Sequence, residues 1–286
     1  MKKPNLFIIG AMKSGTTSLH HYLSHHNELF MSEPKEPGLF KTNDYSEAEF
    51  KQYMSLFDGA NDSHKYRGEG STDYAKIPQY QGVAQRLKEF SPDAKIIYVM
   101  RQPFKRTVSH YWHTRRPQVT DGQTKNMDQA IESFEGYLKF SDYPMQIQSF
   151  RESFGDDNIY YVLFEELTKS PEKVLPGIFE FLNVSQDFDY AVVNDQLNAR
   201  PEKIMSATGK GLMHKLSYSK AWDILAKFVP KSLKTWLRGK AIQEVKADSQ
   251  DKYKEIVRVK YEPYFSDIIE RTGQLINRDL KNLWKL

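Results

Sequence analysis

The stretch Leu6-Phe7-Ile8-Ile9-Gly10-Ala11-Met12-Lys13-Ser14-Gly15-Thr16-Thr17-Ser18-Leu19 decides how the chain folds. Its first part, Asn5–Gly10, is a short apolar run of the kind that forms a buried strand. Gly10 ends the run, and a polar turn containing a second glycine follows. From Thr17 onward, Leu19, Tyr22 and Leu23 recur at helical spacing. A strand, a polar loop and a helix in that order let backbone N–H groups and a helix dipole converge on an anion. The loop keeps Gly10, Gly15 and Thr17 of the pattern G-x-x-x-x-G-K-[ST]. Thr16 stands where that pattern has lysine, and a lysine comes three residues earlier, at Lys13. The anion cradle is kept while its cation is moved.

Outward from this loop, strands and helices alternate. Asn27–Met31 reads as a short strand. Ser46-Glu47-Ala48-Glu49 is a capping box, followed by one helical stripe of Phe50, Tyr53, Met54 and Phe57. Tyr66–Gly70 leads into a polar turn, and Val83, Leu87 and Phe90 mark another amphipathic helix. Ser91-Pro92-Asp93 breaks that helix, Lys95–Met100 is an apolar strand, and a helix runs from about Phe104 to Trp112. Thr114–Lys125 reads as loop, Met127–Phe140 and Pro144–Phe154 as helical, and Asn158–Phe164 as β-rich. Ser170 caps a helix over Pro171–Leu182, with Pro171 at its first position. The alternation predicts an α/β fold: a three-layer domain with a central parallel sheet and helices on both faces, plus a C-terminal helical extension. Residues 1–200 are expected to form the core, and 201–286 an extension packed on the same domain.

Composition narrows the function. The chain has 286 residues, enough for a full core without staples. No apolar run approaches the ~18 residues of a membrane span. Met1-Lys2-Lys3 ahead of Leu6–Met12 has the outline of a signal peptide. The apolar part is very short and no small-x-small site follows, so a buried first strand is the reading. The absence of cysteine excludes disulfide scaffolds, thiolate zinc sites and cysteine nucleophiles, and it fits a reducing compartment, so a cytoplasmic location is expected. His21 and His25 are four apart, but no third ligand follows at useful spacing, so no metal is expected. The net charge of +4 is too small to imply nucleic acid. Its distribution is uneven: Lys203–Lys240 holds nine Lys/Arg and one acidic residue, Asp223, more than the whole positive excess. That segment is expected to face an anionic ligand or surface.

Four segments carry a resemblance. Met12–Thr17 resembles the P-K-[ST]-G-T-[TS] loop of the sulfotransferases that use 3′-phosphoadenylyl sulfate (PAPS), with Met12 in place of Pro. Arg101-Gln102-Pro103-Phe104-Lys105-Arg106-Thr107-Val108-Ser109-His110-Tyr111 is similar to their R-[DN]-P-x-x-R-x-x-S-x-Y, with Gln102 for Asp or Asn. Lys35-Glu36-Pro37-Gly38-Leu39-Phe40 looks like the K-E-x-x-F-F segment of the glycan and heparan-sulfate type, with Leu39 for the first Phe. Arg67–Tyr74 resembles G-E-x-[ST]-P-x-Y without its Pro, and Gly70 stands where glycan enzymes often carry Lys. The likeness is greatest over Asn5–Tyr111.

The resemblance implies a P-loop-like fold and transfer of a sulfuryl group from PAPS to a hydroxyl or amine, with 3′-phosphoadenosine 5′-phosphate (PAP) released. A saccharide or small molecule is the implied acceptor. Lys13, Ser14, Gly15, Thr16 and Thr17 would hold the 5′-phosphosulfate, Lys13 also neutralising charge on the bridging oxygen. Ser18, which replaces the adenine-stacking Trp of many cytosolic relatives, completes that set. Arg101 and Ser109 would hold the 3′-phosphate, a planar fork and a hydroxyl two helical turns apart. Lys210, in Gly209-Lys210-Gly211, would close over it. Glu36 would be the general base, and Lys76 would supply the acceptor contact missing at Gly70. Two other functions stay open on the residues: a P-loop kinase or NTPase with Glu165 after Asn158–Phe164 as its magnesium carboxylate, and a non-catalytic binder of anionic polymer through Lys203–Lys240.

Overall fold

The computed structural model describes residues 3–115, 126–194, 205–207, 242–244 and 248–286. The apolar runs become β1 (Leu6–Gly10), β2 (Leu29–Met31), β3 (Tyr66–Glu69), β4 (Lys95–Met100) and β5 (Ile159–Leu163). They form one sheet in the order β2-β3-β1-β4-β5, and every pairing in it is parallel. Between and after them come α1 (Thr16–Ser24), α2 (Glu47–Ser55), α3 (Val83–Phe90), α4 (Pro103–Arg115), α5 (Met127–Ser133), α6 (Gly136–Lys139), α7 (Tyr143–Phe154), α8 (Phe164–Lys169) and α9 (Pro171–Phe181).

The pleat sends alternate residues to opposite faces, and both faces are covered. Phe7 and Ile9 of β1 with Ile96 and Tyr98 of β4 pack on one side against Leu87 of α3 and Ile147 and Phe150 of α7. Leu6 and Ile8 with Ile97 and Val99 pack on the other against Leu19 and Leu23 of α1 and Ile178 and Phe179 of α9. This is the three-layer parallel architecture expected from the alternation. Because all five strands run the same way, the loops leaving their carboxyl ends gather at one edge. The chain leaves β1 toward β2 on one side and leaves β4 toward β5 on the other. The crevice between the ends of β1 and β4 is therefore the switch point of the sheet, where open α/β sheets bind ligands.

The chain divides into two compact units. One comprises Met1–His110, Phe134–Asn198 and Tyr261–Leu286, and the other Tyr111–Ser133 and Ala199–Lys260. In the first, α11 (Glu262–Leu275) and the closing turn bury Ile268, Ile269, Leu280 and Trp284 in the face that holds α7. In the second, α10 (Asp248–Lys260) meets α5 through Lys260, whose Nζ lies 2.8 Å from Asp128 and 2.7 Å from Glu132. The same unit holds a short antiparallel pair, β6 (Met205–Ala207) and β7 (Ile242–Glu244). Apart from Met205–Ala207, the basic Lys203–Lys240 segment, Lys210 included, lies outside the described residues. Among the described residues no helix is long and apolar enough to cross a membrane.

Two local expectations need correction. The helical reading of Met127–Phe140 is broken into α5 and α6, and at the break the Phe134 ring lies against Gly136, where an added Cβ would meet it at 2.3 Å. Ser170 does precede α9, yet its side chain makes no capping bond, and Pro171 alone sets the first turn.

Candidate active site

The loop after β1 is shaped by two left-handed residues, Lys13 (φ 69°) and Gly15 (φ 83°). Lys13 holds a conformation that costs a non-glycine residue about 1–2 kcal/mol. Gly15 has no alternative: an added Cβ would sit 2.8 Å from the Phe164 ring. Gly15 caps α1, and Leu19 N–H to Gly15 O, 3.1 Å, is an early bond of that helix, so the first-turn amides precede the intrahelical ladder. Between the two lies Ser14, fully buried. Its N–H donates to Ala11 O at 3.2 Å, but its Oγ has no partner among the described residues. A buried hydroxyl without a partner costs free energy unless a ligand completes it. Thr16 is buried, Thr17 exposed and Ser18 half-buried.

Across the switch point, Arg101 leaves β4. Its Nη1 donates to Lys13 O at 3.1 Å, so the two segments that the sequence singles out separately are joined by one bond. The guanidinium lies 4.4 Å from the centroid of the Phe164 ring. Phe164 thus serves both sides, backing Gly15 and stacking on Arg101. The Arg101 backbone is clamped by Tyr143, whose Oη accepts from Arg101 N–H (3.2 Å) and donates to Arg101 O (2.5 Å).

Gln102 precedes α4 and uses both ends of its amide. Its Oε1 accepts from Lys105 N–H at 2.5 Å, capping α4, and its Nε2 reaches Lys285 O. Glu165 is fully engaged, accepting from Gln102 N–H through Oε1 and from Trp284 Nε1 through Oε2, both at 2.9 Å. It is a structural tie between α4, α8 and the closing turn, not a carboxylate presented to a magnesium ion. Arg106 is wholly buried against Ser141 and the Tyr137 carbonyl, and burial pulls its pKa down to about 10. Ser109 is buried on α4, two turns beyond Arg101.

The third cluster follows β2, which lies two strands from β1, about 10 Å away. Glu36 also holds a left-handed backbone (φ 67°) and keeps its side chain 45% exposed. Its Oε1 lies 2.5 Å from Lys35 Nζ, and its Oε2 accepts from Thr72 Oγ1 at 3.3 Å. Lys35 fills the room that Gly70 leaves open: its Cε and His20 Cδ2 each lie 3.3 Å from where a Gly70 Cβ would stand. Lys76 does not fill that room. It is held by Asp73 at 2.6 Å and is mostly buried, and Lys35 stands beside Gly70 in its place. His20 is buried on α1. Burial above all, and Lys35 beside it, pull its pKa down to about 4, so its ring is neutral.

The structure therefore brings Lys13, Ser14, Gly15, Thr16 and Arg101 together at the switch point and sets Glu36 on the same edge of the sheet, while Lys210 lies outside the described residues. Sequence reasoning missed Phe164. Its only signal was its place as the last residue of an apolar run aimed at the carboxyl edge. It also missed that Lys35 fills the space beside Gly70 and pairs with Glu36. The partner-seeking Ser14 hydroxyl, the open first-turn amides and the arginine fork make a donor set suited to an anion.

Comparison with known proteins agrees. Residues 3–212 match the family model described as the sulfotransferase domain. A membrane-associated sulfotransferase of Dictyostelium discoideum is 34% identical over 113 residues, 38% of this chain and 22% of that protein. A bifunctional heparan sulfate N-deacetylase/N-sulfotransferase of Mus musculus is 23% identical over 219 residues, 70% of this chain and 24% of that protein. The chain thus spans under a quarter of the length of either relative. The crystal structure of a sulfotransferase from Alicyclobacillus acidocaldarius superposes with a TM-score of 0.67 at 25% identity, covering 100% of both chains. With the family model matched over residues 3–212, most of its length, this chain belongs to the sulfotransferase-domain family.

Proposed function

We propose that the protein transfers a sulfuryl group from PAPS to an acceptor hydroxyl or amine. When bound, PAPS supplies the sulfuryl group: the acceptor oxygen or nitrogen forms a bond to sulfur, the bond from sulfur to the 5′-phosphate oxygen breaks, and PAP leaves. The first-turn amides of α1 with Ser14, Thr16, Thr17 and Ser18 hold the 5′-phosphate end. Lys13 neutralises the charge that gathers on the departing oxygen. Arg101 and Ser109 hold the 3′-phosphate, with Lys210 as a further candidate. Glu36 takes the acceptor proton. The observation that carries this reading is the Arg101 Nη1 to Lys13 O bond, which supports one continuous anion site across β1 and β4.

A saccharide acceptor is supported by the Lys35-Glu36 segment and by the likeness to a heparan sulfate N-sulfotransferase over 70% of the chain. The cysteine-free sequence supports a reducing compartment such as the cytoplasm. Titration calorimetry with PAP in metal-free buffer tests the donor reading. PAP is expected to bind without magnesium and to be displaced by PAPS but not by ATP. Tight binding of ATP with magnesium, with none of PAP, would overturn it.

A further inference from the structure

Glu69 ends β3 with its carboxylate entirely buried. Three hydroxyls donate to it: Tyr53 Oη at 2.9 Å, Tyr74 Oη at 2.6 Å, and Ser71 Oγ in a short contact. Burial pushes its pKa up, opposed by these three donors and by Lys35. Enclosed in this way, Glu69 is no base for an acceptor.

Its effect lies one bond further out. A hydroxyl has one proton to give, and once that proton is committed to the carboxylate only its lone pairs remain. Ser71 Oγ accepts from Gly38 N–H at 2.9 Å, and Tyr74 Oη is approached by Phe40 N–H at 3.4 Å. Gly38 and Phe40 are the second and fourth residues after Glu36. Arg86 completes the anchor from the other side, donating to Phe40 O and Lys41 O at 2.9 Å each, and the Phe40 ring is buried among Tyr45, Tyr53 and Phe90. Glu36 itself has an exposed side chain and a left-handed backbone. A non-glycine residue keeps that conformation only where its surroundings impose it.

We propose that Glu69 is the positioning residue of the Glu36 segment: it orients the Ser71 and Tyr74 hydroxyls so that they hold the Gly38 and Phe40 amides and thereby fix where the Glu36 carboxylate stands. The inference rests on Glu36 as the base, and the test reads the two apart. Amide hydrogen exchange of the full chain is measured for wild type, Ser71→Ala, Ser71→Thr, Glu69→Gln and Glu36→Gln. Gly38 is expected to exchange at least ~10-fold faster in Ser71→Ala and in Glu69→Gln, while PAP affinity stays within about twofold. Ser71→Thr, which restores the hydroxyl, is expected to restore slow exchange. Glu36→Gln is expected to leave Gly38 unchanged, since a failure of the base assignment shows in turnover and not here. Unchanged Gly38 exchange in both Ser71→Ala and Glu69→Gln would overturn the proposal. So would acceleration spread evenly over the chain, the mark of general destabilisation.

Discussion

Lys13 is the cation of the first loop, yet it sits where the backbone must be left-handed, with its carbonyl accepting from Arg101. Its backbone is thus tied into the link between the two segments. Lys13→Ala is expected to reduce turnover by ~10²-fold or more, as loss of one preorganised charge stabiliser does, while PAP affinity falls less. Steady-state rates beside calorimetric PAP binding check this, and full retained turnover would remove Lys13 from the chemistry. Glu36→Gln keeps the size of the side chain but removes the base. Turnover is expected to fall ~10²–10⁴-fold with donor affinity little changed, and a folded variant turning over at the wild-type rate would rule out Glu36 as the base. These two residues were legible in the sequence because each sits in a short motif of fixed spacing. Phe164 and Lys35 were not, because what matters about them is the neighbour they meet across the fold.

At the scale of elements, local signals were legible and interruptions were not. The Ser46–Glu49 capping box forms with both of its bonds, and Lys95–Met100 is a strand to the residue. Both depend on chemistry within a few positions. At the split between α5 and α6 a ring lies back against a glycine, a contact that no periodicity shows. Gln102 is a subtler case. As a departure from Asp or Asn it reads as a defect, but its longer arm still brings an oxygen to Lys105 N–H and frees its amide for Lys285. Gln102→Ala is expected to lower stability by about 1 kcal/mol, the value of an N-cap. Gln102→Asp is expected to recover most of that loss in urea unfolding. If both variants match wild type, the cap contributes nothing and the Tyr143 clamp alone orients the start of α4.

For the whole molecule, the sequence shows alternation but not strand order, since order is settled by which edges pair and which way each crossover turns. The switch point between β1 and β4, and the return of α11 and Trp284 to the sheet face, become visible only in three dimensions. The same packing buries His20 beneath Lys35, and this gives stability a pH dependence that can be worked out. The ring's pKa falls from 6.5 in the open chain to about 4 when folded, by burial first, then Lys35, with the Ser32 backbone and Glu36 opposing and His21 adding a little. Between those values the unfolded chain binds a proton that the folded chain refuses, so stability decreases as pH falls through this window. Below about 4 both states are protonated and the loss levels off. The full loss is on the order of 3 kcal/mol. Carboxylates also weaken the fold in acid, so the informative quantity is the difference between wild type and His20→Gln in urea unfolding at pH 7.5, 5.5 and 4.5. The His20→Gln curve is expected to run flatter, with the gap between the proteins shifting in favour of the variant by about 1 kcal/mol near pH 5.5 and further by pH 4.5. Parallel curves across all three values would mean that His20 takes up its proton in the folded protein as readily as in water, and that the contact of α1 with the Lys35 segment opens in solution.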